Sequence, residues 1–380
     1  MINKKNLELY LHIPFCVRKC DYCDFLSGPA DESVKEAYTA ALIRELEGRR
    51  DEGDGYEVCS VFIGGGTPSV LAPEWTEQLV KTVRGCYSLS QDAEITMEVN
   101  PGTVDREKLK RYRRTGINRL SIGLQSALDE ELRRIGRIHS YSQFEEAYYG
   151  AREAGFTNIN VDVMSALPGQ GLKDYALTLK TVLGLNPPPE HISAYSLIVE
   201  EGTAFAELDR SGKLNLPDED CERRMYELTG EMLYSAGYHR YEISNYALRG
   251  CECRHNCGYW NRVNYLGFGI GAASLMENRR FSNGSGMEAY LENPMAVREA
   301  VQELTIQEQM EEFMFLGLRL TNGVNKRIFL QEFGRSLESV YTEVLERNRR
   351  DGLLEEDGDT IRLTARGIDV SNYVMAQFLF

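Results

Sequence analysis

LELYLHIPFCVRKCDYCDF (residues 7–25) sets an alternating apolar run directly ahead of three cysteines packed into eight positions. Residues 7–13 alternate as a β-strand does, and Pro14 ends the run just before Cys16. Cys16, Cys20 and Cys23 then follow as C-x₃-C-x₂-C on a loop. Soft thiolates this close together suit an iron–sulfur cluster or zinc. Structural zinc sites almost always take four protein ligands, and no fourth Cys or His lies close on this loop. His12 stands on the strand four residues upstream, where it approaches only from below. Three thiolates therefore point to a cluster with one iron left open to an outside ligand.

Strand and helix patterns alternate outward from that loop. A helix at 33–50, with Ser33 as N-cap, precedes the strand VCSVFIGGG at 58–66, which runs into a glycine turn. Helix 73–87, strand 94–100, helix 105–115 and strand 119–126 follow. Helices at 129–135 and 142–154, strand 158–164, helix 172–184 and strand 191–198 complete at least six alternations. This implies an α/β fold with a parallel sheet and helical crossovers, either an open sheet or a barrel. Six units make a partial (β/α)6 barrel whose strand ends face one mouth. The unusual residues collect at those ends: Cys16, Gly64–Gly66, Glu98, Gln125, Asp162 and Tyr195.

The alternation fades after about residue 205. A helix at 218–236 leads into an irregular stretch, 237–275, rich in Gly, Tyr, Asn and Cys. Residues 305–380 read as helical, with a strand–turn–strand (GLLEEDGDTIRLT) before a last amphipathic helix. The chain thus divides into a barrel (1–205), an extension (206–300) and a winged-helix-like, α-rich C-terminal domain (301–380). That last part carries 9 Lys/Arg against 14 Asp/Glu, so a structural or lid role fits it better than DNA binding. The whole chain, at −15, is a poor general binder of nucleic acid. No stretch approaches the roughly 18 apolar residues of a membrane span, and the N-terminal apolar run is too short for a signal peptide. Nine cysteines, three of them clustered, indicate a reducing, cytoplasmic setting with metal chemistry. Cys59, Cys86 and Cys221 fall within strand or helix patterns and read as buried small residues.

Other residues supply a binding constellation. The glycines before Thr67 and Pro68 let a backbone approach a ligand closely, with amides free to bind its head group. Glu98, Gln125 and Asp162 lie at successive strand ends, where a buried carboxylate needs a partner. Arg137, in RRIGRIH, can act as a fork donor to a carboxylate. With the cysteine loop, this set resembles the radical S-adenosylmethionine superfamily. The resemblance implies a 4Fe–4S cluster on Cys16, Cys20 and Cys23 whose open iron is chelated by S-adenosylmethionine. It implies that Tyr22 positions the adenine and that Gly65, Gly66 and Thr67 meet the methionyl amino group. Within the superfamily the chain resembles the oxygen-independent coproporphyrinogen oxidases and their relatives, in which Tyr10, Glu98, Gln125, Arg137 and Asp162 match cofactor contacts. This likeness runs from LYLHIPFC through SLIVEEGT and YEISNYA to LTARG. It departs at VMSALPGQ (163–170), where relatives usually carry an aromatic–glycine pair.

The oxidases carry a fourth cysteine two residues after the third, and a longer segment ahead of the cluster. Here the fourth position is Phe25, and both departures resemble the heme chaperones of the HemW type. HNCGYW (255–260) fits the H-N-x-x-Y-W pattern of those chaperones. Imidazole is a common axial ligand of heme iron and aromatic rings stack on porphyrins, so His255, Asn256, Tyr259 and Trp260 are the candidate heme contacts. The resemblance implies heme as cargo, an acceptor protein and an external electron donor. The alternatives are a radical coproporphyrinogen III oxidase and a related heme-modifying radical enzyme. Cys251, Cys253 and Cys257 crowd His255; the reading as incidental small residues outweighs that of a soft-metal site.

Overall fold

β1 (Lys5–Ile13) alternates strictly. Leu7, Leu9, Leu11 and Ile13 are fully buried on one face, which leaves Glu8, Tyr10 and His12 on the other. The apolar face packs under α1 (Glu32–Gly48); the polar face lines the interior of a curved sheet. The computed structural model describes residues 4–379. Asp31, not Ser33, occupies the N-cap of α1.

Five further units repeat this arrangement. β2 (Tyr56–Gly65), α2 (Pro73–Cys86), β3 (Leu89–Val99) and α3 (Arg106–Thr115) come first. Then come β4 (Arg119–Gln125), α4 (Asp129–Arg134), α5 (Tyr141–Glu153), β5 (Ile159–Ser165), α6 (Leu172–Leu183) and β6 (His191–Ser196). Each strand pairs in parallel with the one before it, as helical crossovers require. Side-chain caps set the helix starts: Asp105 accepts from the Lys108 amide at 2.8 Å, and Ser140 and Gln143 form a reciprocal capping box.

The extension is not a separate layer. After α7 (Ala204–Arg210) and α8 (Glu219–Ser235), β7 (His239–Arg240) and β8 (Asn245–Ala247) close one edge of the sheet, β8 running antiparallel to β6. α9 (Arg254–Trp260) follows, and β9 (Asn264–Phe268) pairs in parallel with β1 at the opposite edge. β10 (Ala273–Met276), β11 (Arg279–Asn283), α10 (Met287–Glu292) and β12 (Arg298–Glu303) continue from there. The result is a twelve-stranded sheet with the six parallel strands at its centre and both of their edges paired. The stretch 237–275, read as irregular, therefore holds four strands and a helix. Elements of two to seven residues are too short to show a period.

The C-terminal domain has its own core around Phe329, Tyr341 and Phe378. α11 (Ile306–Gly317), β13 (Val324–Asn325), α12 (Lys326–Phe333) and α13 (Leu337–Arg350) precede the hairpin β14 (Leu354–Asp357) and β15 (Thr360–Leu363). The closing helix, expected as one, breaks at Val370 into α14 (Ala365–Asp369) and α15 (Ser371–Ala376). All nine cysteines are free, and Cys59, Cys86 and Cys221 are half-buried rather than buried.

One buried carboxylate ties the extension to the barrel. Glu45 on α1 accepts from the Gly269 amide (2.9 Å), Asn283 Nδ2 (2.8 Å) and Tyr290 Oη (2.8 Å), and pairs with buried Arg49 at 3.3 Å. Removing it strands an uncompensated guanidinium. Glu45→Ala is expected to lower unfolding free energy by about 3–5 kcal/mol, and Glu45→Gln by less, in urea denaturation followed by circular dichroism.

Candidate functional site

The cysteine loop closes on itself. The Cys16 amide donates to Gly28 O and the Gly28 amide to Pro14 O, both at 3.0 Å, while Lys19 Nζ holds Phe25 O at 2.9 Å. The glycine turn after β2 presses against this loop. The Gly66 amide donates to Ile13 O (2.9 Å) and the Thr67 amide to Phe15 O (2.6 Å). A Cβ on Gly66 would lie 2.6 Å from Phe15 O, and one on Gly65, at φ +120°, would lie 2.7 Å from the His12 ring. The glycines therefore make room for the protein's own loop. Gly65 N in turn donates to Glu98 Oε2 at 2.9 Å. All three amides are engaged within the protein, so, contrary to the expectation from sequence, they are not free for a head group.

Cys16, Cys20, Cys23, Tyr22, Gly65, Gly66, Thr67, Glu98, Gln125, Arg137 and Asp162 all line one cleft of about 140 Å³ at the strand ends. Burial, with Asp162 nearby, pushes the Glu98 carboxyl up to about 8. Burial also raises Asp162, though Asn160 Nδ2 donates to it at 2.7 Å. Arg137 Nη2 is anchored on Asn100 Oδ1 (2.8 Å) and Gly123 O (2.7 Å), and Nη1 reaches Cys20 Sγ at 3.7 Å. Its buried Nε has no partner, so the guanidinium keeps a donor for a ligand. Gln125 holds φ +70°, a strained conformation for a non-glycine residue and one that collects at binding sites.

These observations fit the inferred cofactors. Among the described residues no three His, Cys, Asp or Glu side chains converge on a position for one ion. Cys16, Cys20 and Cys23 face one cleft together, a soft-thiolate set of the kind that holds iron–sulfur clusters. The spare Arg137 donor suits a ligand carboxylate. Cys251, Cys253 and Cys257 pack in a small cluster with Tyr241.

Below the cleft lies a second cavity of about 460 Å³, bounded by Tyr10, Phe62, Tyr195 and, on its floor, His255, Asn256 and Tyr259 from α9. Tyr22, Glu98, Gln125 and Asp162 line both spaces. His255 stacks on Phe62 at 5.2 Å; its Nδ1 meets Ser60 Oγ at 2.8 Å and its Nε2 meets Tyr259 Oη at 3.0 Å. Burial and Arg119 push it down to about 3, so the ring is neutral. Trp260 is not with this group: its ring lies under the Arg319 guanidinium, 4.3 Å away, at the C-terminal domain.

Several interior residues were missed in the sequence. Glu94 accepts from the amides of Arg254 (3.3 Å) and His255 (3.4 Å) and so seats the start of α9. Gly258 admits Glu8, whose carboxylate would collide with any Cβ there; burial raises that carboxyl to about 9. His191 joins Asn160 Oδ1 (2.6 Å) and Tyr241 Oη (2.8 Å) beneath Asp162. The available signal was a polar residue in the inward register of an otherwise apolar strand, as in Glu8, Glu94, Arg119 and Asn160.

The model of the Radical SAM superfamily matches residues 10–182, and that of the HemN C-terminal domain matches residues 304–370. The heme chaperone HemW of Bacillus subtilis is 39% identical over 375 residues, covering 97% of this chain and 98% of that protein. The heme chaperone HemW of Escherichia coli is 35% identical over 390 residues, covering 100% of both. Coproporphyrinogen III oxidase (HemN) from Escherichia coli, described as a radical SAM enzyme, shares the fold with a TM-score of 0.86 at 24% identity, over 99% of this chain and 90% of its own. A three-thiol loop at the mouth of a parallel barrel, a HemN-type C-terminal domain and full-length likeness together place the chain in the HemW heme chaperone family of the radical S-adenosylmethionine superfamily.

Proposed function

We propose that this chain is a heme chaperone, holding heme in the cavity between the cysteine loop and α9 and passing it to an acceptor protein. The continuity of cleft and cavity carries this reading, because a ligand in one space touches the walls of the other. The names of full-length relatives support it. Phe25, 58% exposed at the rim where the oxidases bear a fourth cysteine, weighs against coproporphyrinogen oxidation.

In this reading Cys16, Cys20 and Cys23 hold a 4Fe–4S cluster. Arg137 receives the carboxylate of S-adenosylmethionine, and Glu98 with the turn at Gly65, Gly66 and Thr67 receives its amino group. Tyr22 flanks the adenine, and Gln125 and Asp162 meet the remaining polar groups. Tyr10 belongs to the deeper wall, between cofactor and cargo. Cys16, Cys20 and Cys23 would hold a cluster that, once reduced by an external donor, could supply an electron to the sulfonium. The barrel (1–205) carries the cofactors, the extension (206–300) the cavity floor, and the C-terminal domain (301–380) packs against α9 through Arg319 on Trp260. The setting is the cytoplasm and nucleic acid is not a partner, in keeping with the net charge of −15; among the described residues no helix is long and apolar enough to cross a membrane.

Heme added to the anaerobic, cluster-loaded protein should give a saturable Soret shift at one equivalent; absence of saturation overturns the proposal. For His255 to bind iron, Nε2 must exchange the Tyr259 hydroxyl for the metal. His255→Ala should therefore weaken heme binding by about tenfold or more and alter the Soret position, while Tyr259→Phe should retain binding.

Glu98 gives a pH dependence. Its raised carboxyl keeps a proton up to about pH 8, and a ligand amino group favours the ionised form. Binding of S-adenosylmethionine below that pH thus expels a proton, and affinity rises with pH by up to about tenfold per unit before levelling. Calorimetry in buffers of differing ionisation enthalpy should show about one proton fewer released by Glu98→Gln than by the unaltered chain.

A further inference from the structure

His12 stands between the two spaces and belongs to neither ligand set. Its ring is nearly buried, 8% exposed, and both nitrogens are engaged. Nε2 lies 2.9 Å from Leu26 O, at the exit of the cysteine loop. Nδ1 lies 3.0 Å from Tyr10 Oη, in the wall of the deeper cavity. A carbonyl only accepts, so Nε2 carries the hydrogen; Nδ1 is then the acceptor, and the Tyr10 hydroxyl must donate to it. One neutral tautomer satisfies both contacts. Burial favours that neutral state, holding the imidazole below its ordinary range.

The surroundings leave the ring no other place. A Cβ on Gly65 would fall on Cε1 and Nδ1, and the backbone carbonyl of His12 accepts from Tyr38 Oη at 2.8 Å. Tyr10, oriented by this bond, stacks at 6.3 Å on Phe62 and at 6.5 Å on His255. A directional hydrogen-bond chain therefore joins the aromatic wall facing the cargo to the end of the loop bearing the cysteines.

We propose that His12 is a positioning residue that locks the Tyr10 hydroxyl and the exit of the cysteine loop into one unit, so that cluster loop and cargo wall are set together. The proposal rests on the reading of that loop as a cluster site and of the cavity as the cargo site. Its two arms are separable by substitution. Asparagine can replace Nδ1 as the acceptor for Tyr10 but does not reach Leu26, whereas glutamine can place a donor at Leu26 but leaves Tyr10 without its acceptor.

The test compares His12→Phe, His12→Asn and His12→Gln in the full chain. The loop arm is read as the rate at which the reconstituted cluster bleaches in air. The wall arm is read as heme affinity by Soret titration. His12→Phe should speed bleaching and weaken heme binding, each by about tenfold. His12→Gln should restore slow bleaching alone, and His12→Asn heme affinity alone. Rescue of both readouts by either variant, or no effect of His12→Phe on either, overturns the proposal. If His12→Phe fails to fold, the Asn and Gln pair still decides. Nitrogen-15 NMR of the metal-free chain, with the resonance assigned by its loss in His12→Asn, should show the Nε2-protonated tautomer; the other tautomer overturns the proposal regardless of loading. Failure of the unaltered chain to take up a cluster or heme would instead overturn the function proposed above and leave the tautomer result standing.

Discussion

The contact on which the site depends is the approach of the Gly64–Thr67 turn to the backbone of the cysteine loop. Two strand ends meet there by main-chain bonds, from Gly66 to Ile13 and from Thr67 to Phe15, with no side chain between them. A methyl group on Gly66 would fall on the Phe15 carbonyl and separate the two segments. Each such bond is worth only about 1 kcal/mol net, so their value lies in geometry rather than in stability. They fix the three thiols against Glu98 and Arg137, which come from other βα units. The alternation of the barrel brings those units to the same end.

That convergence has an energetic cost built in. Barrel interiors are commonly filled by branched aliphatic side chains, and this one carries Glu8, Glu94, Glu98, Arg119 and Asp162 instead. Burial of a charge is tolerated where partners or a ligand meet it. Asp162 and His191 find partners within the protein, through Asn160. Glu98 has one amide and Arg137 one idle donor, so the upper layer is left incompletely satisfied. A ligand that pairs with Glu98 and Arg137 would recover part of that cost, while Glu8 Oε2 and Arg119 Nε deeper in the interior also lack hydrogen-bond partners.

The same architecture explains what could be read in the sequence. The central strands are long and flanked by periodic helices, so the parallel barrel and its order of residues were legible. Cys16, Cys20 and Cys23, with Glu98, Gln125, Arg137 and Asp162, stand out because strand ends are few and chemically marked. β9 was not legible: NYLGF has no period of its own and becomes a strand by pairing between β1 and β10. Nor were the roles of Glu8 and Glu94, which depend on a helix arriving more than 150 residues later in the chain. Local pattern reports what a segment can form alone; α9 and its seat are a purely tertiary agreement.

The H-N-x-x-Y-W segment illustrates the point further. His255 and Tyr259 are four residues apart and share one face of α9, which is why the tyrosine hydroxyl reaches the imidazole. Trp260, one position on, is turned by about 100° and faces the C-terminal domain, where Arg319 covers its ring. Arg262, just past the helix, continues that contact with Glu312 at 3.2 Å and Glu332 at 3.0 Å. A motif that reads as one aromatic cluster in the sequence thus serves two neighbours. Its histidine and tyrosine form the cavity floor, while its tryptophan and the arginine beyond it bind the domain that carries the second core. The helix between them is held at its start by Glu94 and against β1 by Gly258, so floor and C-terminal domain are set by the same short rigid element.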